Sequence, residues 1–80
     1  MSTTKDEQFI LSLYCTVEES SEKSVFNRYE IGLKAGLQPK AVDAICKLLI
    51  RSNFIKKMSE EEIFITARGR ELALYLLREK

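Results

Sequence analysis

The chain has 80 residues, 45% of them hydrophobic, and its 13 lysines and arginines nearly balance its 12 aspartates and glutamates. That length suits one small domain, residues 1–80, and the composition excludes a disordered chain. Histidine is absent, which removes the commonest general base and the commonest metal ligand. The near-zero net charge excludes a polybasic tail as a global feature.

The two cysteines, Cys15 and Cys46, stand far apart and form no CxxC pair. Without histidine they cannot complete a four-ligand zinc site unless carboxylates or a second chain contribute, so we expect no metal and no cofactor. We expect two reduced, packed thiols in a cytoplasmic protein. No apolar run approaches a membrane span, the charges after Thr4 indicate no signal peptide, and no small-molecule ligand is evident.

The first predicted helix runs from residue 6 to about residue 19, because its apolar residues follow helical spacing. Its main stripe consists of Phe9, Ile10, Leu13, Tyr14 and Val17. Leu11 and Cys15, four residues apart, lie on the opposite side. A polar break over 20–23 follows, and 24–26 then read as a short extended stub of a sheet.

The second predicted helix begins after Asn27, whose side chain can cap it. Glu30 stands three residues later, where it can reach back to the cap's own amide in a capping box. The helix covers about 28–35, and Gly36 is suited to the left-handed conformation that ends it.

The third predicted helix begins at Pro39, where the missing amide costs little, and runs to about residue 52. Asn53 can take the left-handed conformation that ends it. Its buried face is expected to hold Val42, Ile45, Cys46 and Leu49.

A hairpin and a last helix complete the chain. Strands are predicted over 54–58 and 62–66 around a turn at 59–61, because Ile63 and Ile65 alternate with Glu62 and Phe64. Thr66 can cap a helix over about 67–79. The fold class is therefore mainly α with a small β-hairpin, in the order helix, β-stub, helix, turn, helix, two-stranded hairpin, helix.

The segment 30–42, EIGLKAGLQPKAV, resembles a helix-turn-helix, with Gly32 small where the helices cross, Gly36 at the turn and Leu37 between the helices. The segment NFI at 53–55, a hairpin and then ITARG at 65–69 follow it. This order resembles the winged helix-turn-helix superfamily over about 7–77. The helix-turn-helix would be 28–52, the wing 54–66 and the C-terminal helix 67–79.

The resemblance implies that the chain is a small transcriptional regulator that binds duplex DNA. Helix 39–52 would lie in the major groove, and the wing would lie beside a minor groove. At ~100° per residue, the side of this helix opposite its buried face carries Lys40, Ala44, Lys47 and Arg51. Segment 34–57 holds six cations and one anion, so the overall balance hides a separation of charge.

Further DNA contacts are expected around this helix. Gln38 and Lys40, near its N-terminus, are candidates for base contacts, and Asn27 and Arg28 could hold a phosphate. Lys56 and Lys57 at the base of the wing complete the predicted DNA-binding set. The wing tip argues the other way, because the adjacent carboxylates of 60–62, Glu60, Glu61 and Glu62, would repel phosphates. The alternative is a winged helix used for protein–protein interaction, without DNA binding.

Excess apolar surface on the first and last helices favours a homodimer. The last helix is apolar nearly all round: Leu72 and Leu76 can face the core, whereas Leu74 and Tyr75 point away. The expected interface consists of Leu11, Cys15, Leu74, Tyr75 and Arg78. A dimer would present two recognition helices to two half-sites. We expect no enzyme, because there is no phosphate-binding loop and no nucleophile paired with a base.

Overall fold

A computed structural model describes residues 4–20 and 22–78 of the chain. The elements follow the expected order and form a mainly helical domain with a small antiparallel sheet. They are α1 (Lys5–Glu19), β1 (Val25–Asn27), α2 (Arg28–Lys34), α3 (Pro39–Arg51), β2 (Ile55–Lys57), β3 (Glu62–Ile65) and α4 (Ala67–Arg78). Residue 79, the predicted end of the last helix, lies outside the described residues. None of the described helices has the length and apolar character needed to cross a membrane.

Helix α1 begins with a capping box that the sequence reading missed. The Glu7 amide donates to the Thr4 hydroxyl at 3.3 Å, and the Thr4 amide donates to the Glu7 carboxylate at 3.0 Å. The helix therefore starts at residue 5, one residue earlier than predicted. The predicted apolar stripe supplies the centre of the core, where Phe9, Ile10 and Leu13 are fully buried.

The sheet has three strands, because the predicted β-stub pairs with the predicted two-stranded hairpin. Its order is β1-β3-β2, so β3 is the central strand and pairs with both neighbours. The inner face is continuous with the core: Phe26, Ile55, Ile63 and Ile65 are all buried. Strand β1 adds a second row of backbone hydrogen bonds to a hairpin that would be marginal alone.

Helices α2 and α3 cross closely, as the small residues predicted. A Cβ atom added to Gly32 would collide with the Val42 side chain, so only glycine fits at the crossing. Gly36 takes a φ of +75° in the turn, and the Leu37 amide donates to the Gly32 carbonyl at 2.8 Å. Leu37 is buried between the two helices. The predicted left-handed stop at Asn53 is also confirmed, with a φ of 65°.

Thr66 joins the end of α3 to the start of α4. Its hydroxyl accepts from the Gly69 amide at 3.1 Å, which confirms the predicted cap. The same hydroxyl lies 2.6 Å from the Asn53 carbonyl and 3.0 Å from the Phe54 carbonyl, either of which can accept its proton. Gly69 packs against the Phe54 carbonyl so closely that a Cβ atom would not fit.

Helix α4 lies along α1 and buries a narrower face than predicted. Ala73 is fully buried and Leu76 is buried, but Leu72 is only partly covered. The small side chain of Ala73 lets the helix approach the core closely, and this leaves the leucine one residue before it at the edge. Leu74, Tyr75 and Leu77 are exposed.

Candidate nucleic-acid interface

Helix α3 separates an apolar face from a basic face. Val42, Ile45, Cys46 and Leu49 are buried, as predicted. The side chains on the opposite side are all exposed. These residues, which we call the basic face, are Lys40, Ala44, Lys47 and Arg51, with Gln38 at the N-cap position beside them. The structure thus brings five of the predicted DNA-binding residues onto one surface.

The cations of the basic face are not neutralised from within the described part of the chain. Residues 4–20 and 22–78 hold two ion pairs, Arg28 with Asp43 and Arg70 with Glu18. Neither pair uses a lysine or arginine of the basic face. These cations are therefore available to an external anion.

The single carboxylate of α3 is held to one side of the basic face. The Tyr29 hydroxyl donates to Asp43 Oδ1 at 2.7 Å, and Arg28 Nη2 lies 3.2 Å from the same oxygen. Arg28 Nη2 also donates to the Tyr29 hydroxyl at 3.1 Å. The hydrogen bond to Tyr29 and the nearby negative charge of Asp43 raise the pKa of Arg28 above its ordinary value. Asp43 is thereby compensated by α2, so it does not offset the cations of α3.

Arg28 and Asn27 are committed to the fold, which weighs against the predicted phosphate site. Arg28 is used by Asp43 and Tyr29, and its side chain is only 19% exposed. Asn27 Oδ1 accepts from the amides of Tyr29 at 2.8 Å and Glu30 at 3.3 Å, which confirms the predicted cap. The Arg28 amide donates to the Glu61 carbonyl at 2.8 Å. The amides that open α2 therefore already have acceptors.

The capping box predicted at Glu30 is not formed among the described residues. Asn27 belongs to β1 and is paired in register with Glu62, so its backbone is directed to the sheet. The Glu30 side chain is exposed. The capping box of this chain stands at Thr4 instead.

The tip of the β2–β3 hairpin, Glu60 to Glu62, lies beside the start of α2. Asn27 Nδ2 donates to Glu61 Oε1 at 3.2 Å, and this contact ties the tip to the cap residue. Within the tip, the Ser59 hydroxyl accepts from the Glu62 amide at 3.3 Å. All three carboxylates remain exposed, so they form a compact acidic surface at a fixed place.

The predicted contacts Lys56 and Lys57 are both exposed but point to opposite faces of the sheet. Lys56 is paired in register with Phe64, and Lys57 with the buried Ile63. Because side chains alternate along a strand, one lysine shares the outer face with Phe64 and the other does not. The two cannot therefore act as one contact.

The structure also places residues that the sequence analysis did not single out. Tyr29 of α2 links Arg28 to Asp43 of α3. The spacing of residues within one helix cannot predict such a contact between two helices. Arg68 is exposed and lies over the Phe54 ring at 5.6 Å, just beyond the end of α3. The first turn of α4 contains no acidic residue that could pair with Arg68. This absence can be read from the sequence, but it does not point to a particular role for Arg68.

The two thiols differ in their surroundings. Cys46 is fully buried, and this burial raises its pKa to about 11, against the opposing charge of Arg28. It therefore stays protonated near neutral pH and is a poor nucleophile. Cys15 is exposed, beside an open groove of about 400 Å³ between α1 and α2 that Leu11 and Lys34 also line. Among the described residues, no group of three or more acids and cysteines is arranged to hold a metal ion.

The residues predicted for a dimer interface lie on α1 and α4. Cys15, Leu74, Tyr75 and Arg78 are exposed, whereas Leu11 is partly buried against the core. Searches of protein-family models and of curated proteins found no match to this chain.

Proposed function

We propose that this chain is a small winged-helix regulator of transcription that binds duplex DNA through α3. The observation that carries the proposal is the basic face. Its three cations have no carboxylate partner within the described residues, and the one acid of α3 is compensated by Arg28 and Tyr29. A free row of cations on one helix face favours a polyanion as its partner.

In the proposed complex, α3 lies in the major groove with its N-terminus deepest. Gln38 and Lys40 reach base edges, where an amide suits adenine and an ammonium suits guanine. Ala44 is small enough to let the helix approach and to contact a thymine methyl group. Lys47 and Arg51 bind phosphates further along the groove and fix the position of the helix.

The Arg28–Tyr29–Asp43 contacts act as positioning groups in this proposal. They join the first turn of α2 to the first half of α3, so they hold the two helices at one angle. The close contact between Gly32 and Val42, which a larger residue than glycine would prevent, also fixes the angle between α2 and α3. We therefore assign Arg28 to support of α3 and leave it out of the DNA contacts. The free thiols of Cys15 and Cys46 support a cytoplasmic location for the proposed regulator.

Fluorescence anisotropy with a mixed-sequence duplex tests the proposal. We expect binding at low salt, and the double variant Lys47→Glu/Arg51→Glu should weaken it by about 100-fold or more. The logarithm of the binding constant should fall with the logarithm of the salt concentration with a slope of about −2 if Lys47 and Arg51 each engage one phosphate.

The matched control is Lys23→Glu/Lys34→Glu, which changes the net charge equally but lies outside α3. Lys23 sits over the Phe26 ring at 5.3 Å, and Lys34 donates to the Thr16 hydroxyl at 3.2 Å. We expect this variant to bind at least ten times better than the α3 variant at the same salt concentration. Absence of binding at tens of micromolar protein, or equal losses in the two variants, would contradict the proposal.

A second candidate function is a protein–protein interaction module without DNA binding. The acidic hairpin tip favours it, because Glu61 is tied to Asn27 at the start of α2 and the neighbouring amides are already used. A fixed acidic surface beside the helix-turn-helix repels phosphate and attracts basic proteins. A folded wild-type chain that ignores duplex DNA at low salt would favour this candidate.

A further inference from the structure

The side-by-side faces of α1 and α4 form a surface that the DNA-binding proposal does not use. Arg70, near the start of α4, pairs with Glu18, near the end of α1, at 3.6 Å. Helix α4 packs along α1, and its start lies beside the end of α1, so the two helices are antiparallel. The pair marks one end of a two-helix face.

Apolar residues continue from this pair along both helices. Tyr14 precedes Glu18 by four residues, so it lies on the same side of α1. Leu11, seven residues before Glu18, lies between this side and the groove toward α2. Leu74 and Leu77 follow Arg70 by four and seven residues, so they lie on the same side of α4. The antiparallel arrangement places the two stripes next to one another.

The stripe on α4 is well exposed. Leu74 and Leu77 are 43% and 40% exposed, whereas Leu11 and Tyr14 are partly buried against the core. Single exposed leucines are ordinary, but neighbouring ones inside a charged rim are typical of an interaction surface.

The two helices carry opposite net charge. Helix α1 carries four carboxylates and one lysine, and α4 carries three arginines and one glutamate. A two-fold axis parallel to the helices would lay α1 of one copy against α4 of the other. The contact between acidic α1 and basic α4 would then occur twice, once in each direction. This is the self-complementarity that a symmetric dimer requires.

We propose that the occupant of this face is a second copy of the chain, in the arrangement with α1 of each copy against α4 of the other. The two Glu18–Arg70 pairs then lie at the same height and form a ring of four charges. In that ring every carboxylate stands between two guanidinium groups, one from each copy. The apolar stripes close the space along the rest of the four helices.

This dimer is independent of the DNA-binding proposal, since none of its residues belongs to the basic face of α3. Either proposal can fail while the other holds. If both hold, each DNA complex contains two copies of α3.

Sedimentation velocity over about 1–200 µM protein tests the dimer. Wild type is expected to move from the 9.2 kDa monomer toward twice that mass as concentration rises. Leu74→Glu should raise the dissociation constant by about tenfold or more, since it places a charge in the apolar stripe. The control Leu33→Glu, at a leucine of α2 that is 76% exposed, should leave it unchanged.

A charge exchange tests which helices meet. Glu18→Lys alone and Arg70→Glu alone each make the ring carry four like charges, so each should dissociate about fivefold or more readily. An equimolar mixture of the two variants restores attraction between the copies and should recover a heterodimer. Circular dichroism confirms that each variant is folded.

A wild-type chain that remains a monomer throughout this range would overturn the dimer. Loss of association in Leu33→Glu equal to that in Leu74→Glu would overturn the assignment of this face. Single charge variants that associate like wild type, or a mixture that does not recover association, would overturn the packing of α1 against α4.

Discussion

Two regions of the helix-turn-helix carry charged side chains, and they use them in opposite ways. On the outer face of α3, the cations have no carboxylate partner among residues 4–20 and 22–78. At the start of α2, Asn27, Arg28 and Glu61 bind one another and the backbone. Both regions looked like phosphate sites in the sequence.

The difference teaches that residue type alone does not identify a binding surface. A donor that already has an acceptor offers little to a ligand, because binding would exchange one hydrogen bond for another. Arg28 compensates Asp43 and so serves α3 indirectly, whereas Lys47 and Arg51 remain free. Three tests probe this contrast, two of them with a comparison variant, starting with the one of largest expected effect.

Gly32→Ala should break both regions together, because the new Cβ atom would collide with Val42 at the crossing of α2 and α3. Val42 is buried and β-branched, so it cannot turn aside easily. We expect the free energy of unfolding to fall by about 2–3 kcal/mol, measured by urea denaturation.

Gly36→Ala is the matched comparison, since nothing lies within 4 Å of a Cβ atom there and only the φ of +75° is unfavourable. This variant should lose about 1 kcal/mol. Equal losses at the two glycines would show that the crossing is not tightly packed.

Asn27→Ala should disturb only the start of α2. It removes the cap on the amides of Tyr29 and Glu30 and the contact with Glu61. We expect a loss of about 1 kcal/mol in urea denaturation and little change in DNA affinity.

Asn27→Ser separates the two roles, because a hydroxyl can still cap the helix but does not reach Glu61. It should recover most of the lost stability. A large fall in DNA affinity with either variant would return Asn27 to the binding surface.

Glu60→Gln/Glu61→Gln/Glu62→Gln sharpens the contrast with the smallest effect. All three side chains are exposed, so we expect the fold to be unaffected. If the basic face binds DNA nearby, removing the repulsion should tighten binding roughly threefold at low salt and not at high salt. The measurement is the same anisotropy titration. Unchanged affinity at low salt would place the tip far from the duplex.

Most of the helix ends could be predicted from the sequence because their signals are local. The cap at Asn27, the left-handed Gly36 and Asn53, and the cap at Thr66 each depend on residues within a few positions. The basic face of α3 was predictable for the same reason, since helical periodicity alone sorts its side chains.

Contacts between distant segments could not be predicted in the same way. The pairing of β1 with β3 and the contact between Tyr29 and Asp43 join residues whose proximity depends on the whole fold. On α4, helical periodicity indicated which side of the helix faces the core but not how deeply each residue is buried. It therefore favoured Leu72, whereas Ala73 is the most deeply buried residue of the helix. At Thr4 the local signal was present in the sequence and was overlooked.

The strand order β1-β3-β2 has a consequence for how the chain is made. Phe26 finds its partner Ile63 only after three helices and a strand have left the ribosome. Until then the inner face of β1 has no sheet to join, and α3 lacks the support of the strands. Helices α1, α2 and α3 can pack on one another before that point, so the sheet should be the last part of the domain to form.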